Sequence, residues 1–378
     1  MHTRFPAPLR GNGQAAEDPG EDSVAQATAT PCVGIIANPV SARDIRRVIA
    51  NASNLQTADR VNIVLRLLST LAALGVGRVL MMPDRSGIRA MLSRHLKRES
   101  NLHHNAFPQV DFLEFEPTAT VEDTLRAARE MRAAGVGAIV VLGGDGTHRA
   151  VVRECGDVPI AGLSTGTNNA FPEMRESTIA AMAVALHATG RLDREQALAP
   201  NKLLEVSIEE GARRDIAIVD AVISHETVVG ARALWKAESL AAVYLSFADP
   251  QAIGLSSIGA LLHPVGRRDA GGLAVELAND PRRARFALRA PIAPGMLRDI
   301  GIAGWEPMAA GRAFAVTAQA GIVALDGERE MAFKSGERVT VTLRENAFYT
   351  VDVARCMRNA AQLGLLRQTP PDVDRPAH

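Results

Sequence analysis

VVLGGDGTHRAVV, residues 140 to 152, sets two glycines, an aspartate, a third glycine and a threonine into an otherwise apolar run. Ile139 to Leu142 have the continuous apolar character of a short strand buried on both faces. The glycines that follow end it by removing side chains and allowing positive φ. From Thr147 onward the apolar spacing is helical. A strand, a glycine-rich turn and a helix N-terminus together hold backbone N–H groups and the positive end of a helix dipole above a sheet edge, which is the outline of a phosphate cradle. Asp145 departs from that outline, because a carboxylate among such donors repels phosphate unless a metal ion or a proton in transit accompanies it. The stretch therefore predicts phosphate binding combined with chemistry.

The neighbouring segments repeat the alternation. CVGIIANP (32–39), RVLMMP (78–83), VDFLEF (110–115) and VPIAGL (158–163) read as strands, and NIVLRLLSTLAALGV (62–76), SGIRAMLSRHLKR (86–98) and TVEDTLRAAREMRAAGV (120–136) as helices, the last opened by a Thr cap and closed by glycine. Strands alternating with helices of this length imply parallel βαβ units that bind ligands outside the carboxyl ends of the strands. GGDGT and STGTNNAFP (164–172) both follow a strand in this way. Beyond STIAAMAVALHATG and RLDREQALAPNK the texture changes. LLEVSIEEGARRDIAIVDAVIS reads as a hairpin, and RARFALRA, AFAVTAQAGIVAL and ERVTVTLREN are strand-like, with a helical interlude near ARALWKAESLAA. The predicted fold class is α/β: a tail over 1–31, a parallel-sheet, Rossmann-like domain over 32–200, an antiparallel β-rich domain over 201–352, a helix over 353–366 returning to the first domain, and a tail over 367–378.

The chain has 378 residues, with 42 basic and 42 acidic side chains. That balance gives no global field toward nucleic acid or an anionic membrane, so any anion site is local. Cys32, Cys155 and Cys356 are far apart and odd in number, with no C-x-x-C pair, and fit a reducing cytoplasm. No apolar run is long enough to span a membrane, and the N-terminus lacks the apolar core of a signal peptide. His148 and His225 have no metal partners at useful spacing, so no zinc is expected.

GGDGT on a strand-to-helix turn resembles the NAD kinase and diacylglycerol kinase superfamily. ANPVSARD (37–44) is similar to its first-strand Asn-Pro loop, STGTNNAF (164–171) to the Gly-Thr-x-Asn-Asp loop of the lipid-kinase branch, and ALDGERE (324–330) to a late Asp-Gly element of both branches. DIRRVIANAS, LSTGTNN and VGARALW together most resemble the acetoin-catabolism protein X group, over roughly residues 32 to 366. The resemblance implies an NAD kinase-like fold, ATP with Mg²⁺ as phosphoryl donor, NAD(H) as substrate, and a homo-oligomer.

Phosphoryl transfer asks the protein to position the donor, neutralise charge and handle the acceptor proton. Gly143, Gly144 and Gly146 let backbone amides approach phosphate, and Thr147 adds a hydroxyl. Asp145 orients or deprotonates the acceptor hydroxyl, directly or through Mg²⁺, or else caps the following helix in a tight turn. Thr165, Gly166 and Thr167 face phosphate and Asn168 and Asn169 hold sugar hydroxyls, or the loop is an Asx-type turn satisfying its own backbone. Asn38 has the same two readings, and Ala42 stands where the lipid-kinase branch usually carries glycine. Asp326 and Glu328 form a second acidic point, suited to metal binding or general-base work beside Asp145, or are a β-turn Asp-Gly with a solvated Glu. Asp220 falls where NAD kinases carry an Asn-Glu pair that grips ribose, with Ala221 replacing the acid. Arg43, Arg46 and Arg47 either steer phosphates or form a solvated face, as do Arg282, Arg283 and Arg285. Arg232 and Trp235 either clamp a ring or pack.

The leading expectation is an ATP-dependent kinase acting on a ribose hydroxyl, 2′ or 3′, of NAD⁺ or NADH, in the cleft between the two domains. A lipid or small-alcohol kinase is the competing enzyme. The GTNN loop favours it, and the lack of a basic-hydrophobic segment for a membrane surface opposes it. The third reading is a nucleotide-binding regulator of acetoin catabolism without turnover.

Overall fold

A computed structural model of the chain describes residues 30–38, 56–101, 107–166, 169–226, 237–280 and 282–368. Most of both tails, Arg43, Arg46, Arg47, Ala42, Thr167, Asn168, Arg232 and Trp235 lie outside the described residues.

The first stretch alternates as the apolar spacing demands: β1 (Cys32–Ala37), α1 (Thr57–Ala73), β2 (Arg78–Met81), α2 (Ile88–Asn101), β3 (Gln109–Phe112), α3 (Val121–Ala133), β4 (Ile139–Gly143), α4 (Asp145–Glu154), β5 (Ile160–Ser164), α5 (Ser177–Ala188) and α6 (Arg194–Ala197). Thr120 caps α3 by accepting from the Glu122 amide. Successive residues of β4 face opposite layers. Val140 and Leu142 pack with Val64, Leu68 and Val184, while Ile139 and Val141 pack with Ala128, Met131 and Val151. A strand apolar at every position is thus buried by helices on both faces. Each fully buried aliphatic side chain of this kind contributes about 1.5–3 kcal/mol.

The rest is mainly antiparallel: β6 (Leu198–Ile208), β7 (Arg213–Ala217), β8 (Asp220–Ser224), β9 (Leu240–Leu245), α7 (Ser256–Ala260), β10 (Gly272–Leu277), β11 (Phe286–Ala293), β12 (Met296–Met308), β13 (Ala313–Ala315), β14 (Gly321–Leu325), β15 (Glu328–Phe333), β16 (Val339–Val351) and α8 (Val353–Gln362). A seven-stranded sheet runs β11-β12-β10-β9-β8-β14-β15, and a nine-stranded sheet runs β3-β2-β1-β4-β5-β16-β6-β7 with β13 paired to β16.

The second sheet does not take all of the later strands. β16 pairs in parallel with β5 and antiparallel with β6, so the far half of the chain completes the first sheet. Residue 200 falls inside β6. Leu204, Val206, Val341 and Leu343 of this extension pack against Ile223, Val323 and Leu325 of the second sheet. α8 returns to the first sheet's helices, with Asn359 Nδ2 donating to Gln196 O at 2.9 Å.

Of the helical interlude expected near ARALWKAESLAA, residues 231–236 lie outside the described residues. Ala237–Ser239 form a 3₁₀ turn that leads into β9, and β9 pairs with both β8 and β10. Among the described residues no helix is long and apolar enough to cross a membrane.

Candidate active site

The parallel order 3-2-1-4-5 reverses between β1 and β4, so the crevice at their carboxyl ends is the topological switch point of the sheet. Asn38 ends β1, its amide donating to Leu142 O at 3.2 Å, and its Nδ2 reaches Thr147 Oγ1 at 3.2 Å. The Thr147 hydroxyl therefore faces β1 and the Asn38 amide.

The glycines of GGDGT are needed for space and not for positive φ. Gly144 is extended at φ −95° and ψ −173°, and none of the three has a positive φ. A Cβ on Gly143 would lie 2.6 Å from Thr147 Cβ, and one on Gly144 would lie 2.8 Å from Asn169 Oδ1. His148 is fully buried, with Nδ1 at 2.9 Å from Gly144 O. Since a carbonyl only accepts, Nδ1 carries the proton. Burial pulls the ring's pKa down to about 4. Its Nε2 has no hydrogen-bond partner among the described residues and lies against Gly162, where a Cβ would be 2.7 Å away.

Asp145 opens α4 without capping it, for the N-cap is Gly144 and no side-chain cap bond forms. Its carboxylate instead accepts from Phe171 N at 2.8 Å and Ala170 N at 3.0 Å. These bonds fold the second loop onto the first turn of α4. That loop also bonds to itself through the Ser164 hydroxyl and the Asn169 amide group. Ser164 Oγ donates to Gly166 O at 2.6 Å and accepts from Asn169 Nδ2 at 2.8 Å. Thr165 is buried beside it.

Asp326 and Gly327 form the two-residue turn between β14 and β15, at φ +50° and +81°, where a hairpin of this twist needs left-handed residues. The Asp326 carboxylate is buried and accepts from the amides of Ile218, Val219 and Asp220 at 2.8–3.2 Å. Its own amide donates to Asp220 O at 2.9 Å, so Asp220 and Asp326 lock β8 to β14. Burial pushes the Asp326 carboxyl well above the usual range, Arg149 opposing and Asp220 adding to the shift. Glu328 is exposed and stands at Gly146, where a Cβ would lie 3.2 Å from its Oε1.

Arg149 joins these groups. It is 5% exposed and lies 3.4 Å from Asp215, 3.8 Å from Asp326 and 4.0 Å from Glu328. Sequence reasoning passed over it, although it sits four residues after Asp145 on the same helix face. Thr147, Asp145, Gly144 and Gly146 of the first sheet are thus brought together with Asp220, Asp326 and Glu328 of the second. Asn38 and Asn169 flank them.

Both Asp326 oxygens accept from backbone amides, and among the described residues no group of three or more His, Cys, Asp or Glu side chains is placed to hold a metal ion. Behind Phe171 lies a cavity of about 190 Å³, walled by Gly162, Asn201, Arg267, Arg268, Thr350 and Asp352. Arg268 is ion-paired to Asp352 there.

Residues 33–191 match the family model of the ATP-NAD kinase N-terminal domain, and residues 202–346 that of the acetoin catabolism protein X C-terminal domain. The chain is 63% identical over 354 residues to the acetoin catabolism protein X of Cupriavidus necator, covering 93% of this chain and 98% of that protein. Among solved structures it is similar to yeast NADH kinase complexed with NADH, at 14% identity and a TM-score of 0.44, covering 91% of this chain and 90% of that one.

Proposed function

From the premise that the chain belongs to the acetoin catabolism protein X group of the NAD kinase and diacylglycerol kinase superfamily, we propose that it is an ATP-dependent kinase that phosphorylates the 2′ or 3′ ribose hydroxyl of NAD⁺ or NADH. The observation that carries this reading is the meeting of the GGDGT turn with Glu328 and the Asp220–Asp326 pair across the cleft. Asp145 receives or orients the acceptor proton, held in place by the Ala170 and Phe171 amides. Gly144 and Gly146 keep the first turn of α4 open to phosphate oxygens, with the helix dipole behind them. Thr147 and Asn38 hold that turn to β1, while Gly166 and Asn169, with Thr165, Thr167 and Asn168, line the second loop for phosphate and sugar. Glu328 and Asp220 face the ribose side, with Arg149 4.0 Å from Glu328. Mg²⁺ enters as Mg-ATP, a substrate complex carried by the donor phosphates, and Asp326 fixes the β8–β14 junction. The same reading takes the protein as a cytoplasmic homo-oligomer.

A second reading has its own support. Both oxygens of Asp145 already accept amide bonds, which suits a nucleotide-binding regulator of acetoin catabolism as well as a base awaiting substrate. One experiment separates these readings and the lipid or small-alcohol kinase. The full chain is incubated with Mg-ATP and NAD⁺, NADH, nucleosides or diacylglycerol, and products are identified by mass spectrometry and phosphorus NMR. A phosphorylated dinucleotide is expected. A phosphorylated lipid or alcohol, or bound nucleotide without turnover, overturns the proposal in favour of the corresponding alternative.

A further inference from the structure

Arg267 is distant in sequence from every motif described so far, on the turn between Val265 and Gly271. Buried Lys202 holds that turn, its Nζ donating to Gly271 O at 2.7 Å, Asp269 O at 2.8 Å and Gly266 O at 3.0 Å. The Asp269 carboxylate ties the turn again by accepting from Gly266 N at 2.8 Å. From this fixed base the Arg267 guanidinium passes over the rings of Phe247 and Phe171, 4.7 and 5.1 Å from their centroids. Nη2 donates to Ala170 O. Burial lowers the affinity of this guanidinium for its proton, and the acids that bear on its charge are Glu173, Asp145 and Asp249.

Ala170 O and Phe171 N–H are the two ends of one planar peptide unit and point in opposite directions. One end receives the Arg267 guanidinium, and the other donates to Asp145 Oδ1 at 2.8 Å. A cation, a peptide dipole and a carboxylate therefore stand in line. Each bond in such a chain polarises the next, and bonds with a charged partner are shorter and stronger than neutral ones. We infer that Arg267 is a positioning residue of the active site, acting through the 170–171 peptide to fix the orientation of the Asp145 carboxylate. The second half of the chain thus sets the group that the first half supplies. For turnover this rests on Asp145 acting on the acceptor, as proposed above, whereas the hydrogen-bond chain itself can be measured without turnover.

The test uses the full chain with Arg267→Met, which keeps an apolar stem between the two rings, and Arg267→Lys, which keeps the charge without the planar fork. Hydrogen exchange of the Phe171 amide is followed by NMR beside the melting temperature. In the Met variant it is expected to quicken by at least about tenfold, with amides of β1 and β4 unchanged and the Lys variant between. Asp145→Asn, which cuts the other end of the chain, should quicken the same amide. If the parent phosphorylates its acceptor, kcat of the Met variant falls by about tenfold or more while KM for ATP stays within about twofold. Unchanged Phe171 exchange in the Met variant overturns the inference. So does faster exchange spread over the whole first sheet, which would make Arg267 a packing residue. If the Met variant does not fold, the Lys variant decides by the same measure. A parent without turnover removes the kinase reading and leaves exchange at Phe171 to decide this one.

Discussion

Glu328 stands over Gly146, so close that a Cβ on the glycine would lie 3.2 Å from the carboxylate oxygen. Gly146 is in the first turn of α4 and Glu328 opens β15, so the two sheets close on each other at the glycine-rich turn. The space between them is narrow enough that a single methyl group tests it.

Gly146→Ala should leave the fold intact, because alanine favours a helix over glycine by about 1 kcal/mol and Glu328 is the far end of a flexible side chain. Turnover should nevertheless fall by about tenfold as the carboxylate is pushed off its position. Thermal melts and steady-state kinetics of parent and variant check both halves. A stable variant with unchanged kcat removes Glu328 from the site.

Asp145→Asn keeps one acceptor for the Ala170 and Phe171 amides but turns an NH₂ toward the other. The loss should be about 1–2 kcal/mol of stability, and turnover should fall by at least about a hundredfold. KM for ATP should shift little. Kinetics and thermal denaturation are read together. A collapsed fold returns Asp145 to a purely structural role, and an unchanged kcat ends its catalytic one.

Asp326→Ala removes the acceptor of the Ile218, Val219 and Asp220 amides and leaves Arg149 without one of its buried counter-charges. The cost should be about 3–5 kcal/mol, the scale for breaking a buried ion pair from one side. Urea titration measures it. A loss near zero would show that the amides find water instead. The milder Asp326→Asn should leave the Mg²⁺ dependence of turnover as in the parent, because its oxygens face amides.

His148 gives the protein an acid limb. Its folded pKa of about 4 lies below the ordinary value of 6.5, so the unfolded chain takes up a proton that the folded one refuses. Its contribution is fully present above pH 6.5 and is lost as pH falls from there to 4, up to about 3 kcal/mol in all. In His148→Asn, whose amide can still donate to Gly144 O, melting temperature should depend less on pH across that window. Parallel pH profiles for parent and variant would falsify the assignment.

A fragment ending at residue 200 should not fold cooperatively. The cut passes through β6 and removes β16, which covers the edge of β5, together with α8 over α5 and α6. Circular dichroism melts of the fragment check this, and a sharp transition like the parent's would show the first sheet to be self-sufficient.

The local elements of the first half were legible because each depends on residues close together in sequence. The run Ile139–Leu142 has the continuous apolar character of a strand buried on both faces, and Thr120 with the helical spacing after it reads as a capped helix start. GGDGT was legible as a strand-to-helix turn for the same reason. What the sequence could not supply was the purpose of its glycines, since Gly144 and Gly146 make room for Asn169 and Glu328, residues with no fixed separation from them. That β16 joins β5 and β6 was not legible, because those partners are distant in the chain. Asp326 read as a metal ligand, a general base or a turn residue, and only the tertiary structure supplies its three amide partners. Arg149 could have been found from its helical spacing to Asp145, whereas nothing near Arg267 in sequence points to Ala170. Periodicity and turn chemistry are local and act through the chain, so the sequence by itself determined the elements and the motif. Charge pairing and close approach act through space, so only the tertiary structure decided which residues share the cleft.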